Sequence, residues 1–248
     1  MSIVSKLNRA ARLIVDGRIA DLREKVQDHL RAGLYAHHEG YGLRRDLNQP
    51  FAAPSARIPI AIREISGSDI PQLFEPHIAD GGLDEQRELA WRHEVLRSGF
   101  PTCFVAVDQR TDTPCYLQWL ISAAQNSRLP EIGVFPPLQP NEALLENAYT
   151  PTSYRGLGIM SAAMAMIAER AAHFGARYVI TFVARDNAAS LKGCERAGFS
   201  PYLVRRQAHY GFKLVRKCTF TALPEASALP HSGSLTDSVH VGGQALQN

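Results

Sequence analysis

Residues 142–174 read EALLENAYTPTSYRGLGIMSAAMAMIAERAAHF. Three pieces follow one another. Residues 142–150 make a strand, closed by Pro151. A turn leads to Tyr154-Arg155-Gly156-Leu157-Gly158, and an Ala- and Met-rich helix spans 160–174, ended by Gly175. Strand, glycine loop and helix in this order suit either an anion site or only a tight turn ahead of the helix. Glycines let the backbone come close to a ligand, and the first helical N–H groups point outward at the positive end of the helix dipole. The spacing excludes two common phosphate loops. No Gly-Lys-Ser/Thr follows, as a Walker loop requires. No third glycine and later acidic residue follow, as a dinucleotide-binding fold requires.

The flanking sequence extends the pattern. Downstream, 177–184 is a β-branched strand, 188–197 a short helix ended by Gly198, and 201–210 and 212–222 a last hairpin around Gly211. Upstream, 58–65 alternates as a strand. Ser68-Asp69 caps a helix carrying Ile70, Leu73 and Phe74, and 83–97 is a second helix. Residues 102–107 and 115–121 form a hairpin, and 122–140 is Pro-rich and irregular. Strands alternate with helices only in the second half, so the domain is α+β with a mixed sheet.

The ends differ from this middle. Ile3, Leu7 and Ile14, then Ile19, Leu22, Val26, Leu30 and Leu34, mark a helical stripe broken near Gly17. Gly40-Tyr41-Gly42 ends it, and residues 50–59 read as a linker with a boundary near Ser55. The expected organisation is therefore an N-terminal helical extension and linker over 1–54, a main domain over 55–223, and a disordered tail over 224–248. The extension is expected to pack on the domain. A homodimer interface stays open as an alternative, and its mixed charge argues against a membrane helix.

Composition narrows the class. A net charge of +3 gives no argument for nucleic acid. Arg205, Arg206, Lys213, Arg216 and Lys217 form a basic run without an acid between 201 and 223, suited to an anionic ligand or to a solvated strand face. No apolar run approaches the roughly 20 residues that span a bilayer. The first 15 residues lack the basic-then-apolar order of a secretory signal. Cys103, Cys115, Cys194 and Cys218 are widely spaced and show no metal-ligand pattern, and His37-His38 reads as exposed. Free thiols, no metal and a cytoplasmic location are expected.

Two blocks carry a resemblance. Tyr154, Arg155 and Gly158 match the Arg/Gln-x-x-Gly-x-Gly/Ala signature, usually preceded by Tyr, of the GNAT acetyltransferase superfamily; Met160 departs from its last position. Asn187-Ala188-Ala189-Ser190, followed by Ala197-Gly198-Phe199, is similar to that superfamily's Asn-x-x-Ala/Ser and Gly-Phe block. The resemblance covers roughly 58–222. It implies a mostly antiparallel sheet flanked by helices, in which acetyl-CoA or another acyl-CoA lies in a V between strands 142–150 and 177–184.

By the same resemblance, the amides of Arg155, Gly156, Leu157, Gly158, Ile159 and Met160 would hold the pyrophosphate. The backbone of Ala148, Tyr149 and Thr150 would bond the pantetheine and polarise the thioester, with Asn187 and Ser190 beside it. The acceptor would be an amine of a small molecule or peptide, activated by a glutamate. Glu142 and Glu146, four apart, are expected on one strand face with Leu144 and Ala148. Either could serve. Cys194 stands where the family commonly keeps a proton-donating Tyr, with Tyr202 and Tyr210 as further candidates. Trp119, Phe135 and Tyr210 are candidate pocket walls. A non-catalytic acyl-CoA-binding module and a relative making N-acyl amino acids, fed by an acyl carrier protein docked on the basic run, stay open as alternatives.

Overall fold

The computed structural model describes residues 35–80, 83–97, 99–100, 102–210 and 215–224. β1 (Tyr35–Asp46) comes first, then β2 (Ile60–Glu64), helices α1 (Asp69–Asp80) and α2 (Leu83–Arg97), and the hairpin β3 (Cys103–Asp108) and β4 (Thr113–Ser122). β5 (Glu142–Tyr149), α3 (Ile159–Arg170), β6 (Tyr178–Ala184) and α4 (Ala188–Arg196) follow. β7 (Ser200–Tyr210) and β8 (Val215–Ala222) close the sheet. The strands form one eight-stranded sheet in the order β2-β3-β4-β5-β6-β1-β7-β8. Every neighbouring pair is antiparallel except β5 and β6. The expected α+β architecture, a mixed and mostly antiparallel sheet between helices, is the one that forms.

The sheet buries both faces. On one, Ala163, Ala165 and Ala168 of α3 and Leu191 of α4 pack on Tyr116, Leu120, Leu145 and Val179. The alanines suit this place, because small side chains let the helix lie close to the strands. On the other face, Leu73, Phe74, Leu89 and Val95 of α1 and α2 cover Val105, Leu117, Ile121, Leu144 and Ile180. Each fully buried Leu or Ile contributes about 1.5–3 kcal/mol.

Residues 35–46 depart from the sequence expectation. There they end a helix and lead into a linker; in the structure they form β1, paired with β6 on one side and β7 on the other. The helical stripe expected over residues 3–34 lies outside the described residues. β1 reads YAHHEGYGLRRD, which has no apolar alternation. Its packing comes from other sources. Leu43 is fully buried. Arg44 stacks over Tyr178 and Tyr202, and Arg45 lies over Phe51. Arg45 also pairs with Glu169 and donates to the Ala165 carbonyl at 3.3 Å, tying β1 to α3.

The linker is also part of the packed structure. The Arg57 amide donates to the Leu157 carbonyl at 2.8 Å, so residues 55–57 lie against the glycine loop.

Candidate functional site

β5 and β6 pair only from Glu142 to Leu144, opposite Tyr178 to Ile180. Beyond Leu144 the two strands separate. β5 stays bonded to β4 and β6 to β1, so a cleft opens inside the sheet at their C-terminal ends. The backbone edges facing this cleft no longer bond each other, which leaves them for an extended ligand.

A bulge shapes the cleft. From Glu146 to Tyr149, β5 takes three steps opposite the two from Trp119 to Leu117 on β4. The extra residue is absorbed at Asn147, whose φ is +58. Asn tolerates this left-handed conformation better than most residues. The bulge shifts the alternation by one. Ala148, expected on the face of Glu146, packs instead with the α3 side, and Tyr149 takes the Leu144 side.

Glu146 is the residue that the bulge presents. Its Oε2 is buried with no hydrogen-bond partner, as are Trp119 Nε1 and Asn147 Nδ2. All three residues line one crevice, too narrow to hold a water, with Trp91, Val95 and Ile132. Burial pushes the Glu146 carboxyl up to about 7, against the pull of Arg205, the Asn147 amide and Arg92. Arg92 Nε donates to Asn147 Oδ1 at 2.9 Å, and the Arg92 guanidinium lies over the Tyr149 ring. That bond fixes the amide so that its Nδ2 faces the crevice.

The glycine loop fits a phosphate ligand. Gly156 has φ +79, and an added Cβ would meet nothing within 4 Å, so the backbone is bare on that side. Gly158, at φ +74, caps α3, whose first turn holds no acidic residue. Arg155 Nε donates to the Thr150 carbonyl at 3.1 Å and closes the loop onto the end of β5. Met160 turns toward α4, where a Cβ on Gly193 would meet its Sδ at 3.0 Å. The bulky Met160 thus rests on a glycine of the neighbouring helix. Asn187 caps α4, accepting from the Ser190 amide at 3.0 Å.

The structure separates the other candidates. Glu142 lies at the closed end of the V and accepts from the Gln139 amide at 2.9 Å. At about 3.3 Å per residue it is more than 10 Å along the strand from Glu146. Cys194 is buried against Met164, its thiol pushed up to about 12 by burial and then by Glu146. Tyr202 lies beside Arg44, away from the splay, and Tyr210 is exposed. Phe135 packs on Phe182. In the basic run, Arg206 pairs with Glu39, Arg205 lies over Phe182, and Arg216 and Lys217 are exposed. Lys213 is outside the described residues.

Trp91 falls in the 74–91 stretch expected to help build the acceptor pocket, whereas Arg92, Asn147 and the inward turn of Arg205 are not among the expected site features. One signal was present: Arg92 interrupts the buried stripe of Leu89 and Val95 on α2, where a cation needs a partner. Asn147 inside a strand was a second.

Among the described residues no cluster of three His, Cys, Asp or Glu could hold a metal, and no helix is long and apolar enough to cross a membrane.

The chain matches the family model described as acetyltransferase (GNAT) domain over residues 60–200. It is similar to a solved acetyltransferase from the GNAT family from Colwellia psychrerythraea, at 14% identity and TM-score 0.44, covering 77% of this chain and 57% of that one. It is similar to a GCN5-related N-acetyltransferase from Sphaerobacter thermophilus, at 14% identity and TM-score 0.43, covering 72% and 54%. A tandem GNAT protein from the clavulanic acid biosynthesis pathway gives 15% identity and TM-score 0.46, covering 70% and 54%. The chain thus spans little more than half the length of these solved proteins. No curated protein matches it.

Proposed function

The chain belongs to the GNAT family of acetyltransferases, and from that premise we propose that it moves an acetyl group from acetyl-CoA to a primary amine, with Glu146 as the general base. The observation that carries this is Glu146 Oε2, buried without a hydrogen-bond partner beside the Asn147 bulge, where β5 leaves β6.

The residues divide the work. The amides at the head of α3 and the bare backbone of Gly156 cradle the pyrophosphate. The facing edges of β5 and β6 hold the pantetheine arm, beside Asn187. Bound acetyl-CoA supplies an activated thioester, whose carbonyl carbon takes the amine nitrogen while its C–S bond breaks, giving an amide and free CoA. Glu146 removes a proton from the amine. An ammonium near the lysine value of about 10.4 is protonated at neutral pH, and a carboxylate near 7 suits its deprotonation in the site. Trp91, Val95 and Trp119 keep water from the carboxyl.

Cys194 is assigned to packing. A thiol held at about 12 is a poor donor to a departing thiolate near 8.5; solvent protonates that thiolate. Cys194→Ala is expected to change kcat by less than about twofold and to cost about 1 kcal/mol of stability. A hundredfold fall in kcat at an unshifted KM would return Cys194 to the chemistry.

Gly156→Val tests the loop. A valine at φ +79 costs about 1–2 kcal/mol unless the loop relaxes. Calorimetry should show the Kd for CoA rising about tenfold. An unchanged Kd would remove this loop from the cofactor site. The function is tested by labelled acetyl transfer from acetyl-CoA to a panel of amines. Tight CoA binding without transfer to any amine would leave a binding module instead.

A further inference from the structure

Arg205 is a cation on the Glu146 face that no carboxylate among the described residues bonds directly, although the Glu146 charge acts on it. Its guanidinium stands 5.0 Å from the centre of Phe182 and 5.9 Å from that of Phe135. Among the described residues it makes no hydrogen bond or ion pair; Glu39, near its neighbour, is taken by Arg206 and Arg185. A half-buried guanidinium in this condition calls for an anion.

Its position is built by β1. Leu203, Phe182, Ile180 and Leu144 lie on the α1–α2 face of the sheet. Arg205 and Glu146, each two residues from a member of that set, share the face. β1 runs between β6 and β7 and places glycines there. A Cβ on Gly42 would lie 2.6 Å from Leu203 Cδ1 and 3.1 Å from Phe182 Cε1. One on Gly40, the residue paired with Arg205, would lie 2.8 Å from the Val183 carbonyl oxygen. With β1 bare on this face, Arg205 reaches across to Phe182, at the edge of the splay. Arg205 and Glu146 are near enough to act on each other's charge.

The polar inventory around the amine position is lopsided. Glu146 Oε2 is a buried acceptor without a hydrogen bond, while the Asn147 amide bonds the carboxyl. Trp119 Nε1 and Asn147 Nδ2 are buried donors without a partner, and Arg205 adds more donors and a positive charge. A plain alkylamine would satisfy Glu146 and leave every donor unpaired. A polyamine would add repulsion from Arg205 and Arg92. A molecule with an ammonium for Glu146 and a carboxylate for Arg205 satisfies both sides.

We infer that the acetyl acceptor is an amine that carries its own carboxylate, an amino acid, held by its ammonium at Glu146 and by its carboxylate at Arg205. Phe135 and Phe182 flank the guanidinium and favour apolar side chains on that amino acid. The inference rests on Glu146 being the base.

Matched pairs test it on the wild-type protein. With acetyl-CoA, kcat/KM for phenylalanine should exceed that for phenethylamine by roughly 10²-fold or more, because the amine strands the site's donors. Phenylalanine amide should fall with phenethylamine. Arg205→Gln should cut the acid-over-amine ratio at least tenfold. Independently of turnover, phenylalanine titrated into the protein–CoA complex should bind in the calorimeter, and Arg205→Gln should weaken that binding at least tenfold. Phenethylamine accepted as well as phenylalanine would overturn the carboxylate and leave Glu146 as base. Binding lost in Arg205→Gln without transfer to any amine would sink the base and keep the carboxylate site. Absence of both binding and transfer of amino acids would overturn the inference.

Discussion

Glu146→Gln is expected to lower kcat/KM roughly 10²- to 10⁴-fold, the range for losing a positioned base. It should also remove one limb of the pH profile. In the wild-type enzyme the carboxyl changes charge near 7, so kcat/KM should fall about tenfold per pH unit below that point. The glutamine variant should show no such limb. CoA affinity should stay within about twofold, since the carboxyl acts on the amine and not on the nucleotide. A variant as active as wild type at pH 8 would sink Glu146 as base.

The same substitution should stabilise the protein, with a definite sign. The folded carboxyl titrates near 7, above its ordinary value of 4.5. The folded state therefore holds this proton more tightly, and stability drops as pH rises from about 4.5 through 7. At about 1.4 kcal/mol per pH unit, ionising the buried group costs up to about 3 kcal/mol by pH 8. Glutamine carries no such cost. The melting temperatures of the two proteins should lie close together at pH 4.5 and diverge by pH 8, with the variant higher. Lower activity with higher stability would mark a functional residue held at a structural cost.

Leu43→Ala is expected to destabilise the protein by about 2–5 kcal/mol. Leu43 is fully buried on a strand bonded on both sides, and its partners Thr181 and Pro201 lie on different strands, so the cavity cannot close by a shift of one edge. Against a total stability of about 5–15 kcal/mol this is a large share. In a chain of this size the melting temperature should fall by about 5–15 °C. Leu43→Met keeps the volume and should cost less than about 1.5 kcal/mol. An unchanged melting temperature for Leu43→Ala would remove β1 from the middle of the sheet.

These two substitutions fall on opposite sides of what could be read beforehand. Glu146 was visible, because glutamates at 142 and 146 share a strand ahead of a glycine loop. The choice between them was not. It depends on where β5 parts from β6, and that is a matter of register between strands more than thirty residues apart. Asn147 then turns Ala148 to the other face, which strict alternation misplaces. Leu43 was hidden more completely. Its strand keeps glycines where side chains would collide with Val183, Leu203 and Phe182, and packs arginines on aromatic rings. Hydrophobic periodicity cannot register a strand built this way.

The local alphabet alone determined the strand, loop and helix around Tyr154–Gly158, the capped helix after Asn187, and through them the family. Those signals lie within a few residues of each other, where backbone propensity, capping and glycine conformation act directly. Tertiary structure alone decided that β1 enters between β6 and β7, that Glu146 and not Glu142 reaches the cleft, and that Arg205 turns inward across two glycines. Each of these is set by which distant strands become neighbours, and desolvation then pushes the Glu146 carboxyl up and the Arg205 guanidinium down from their ordinary values.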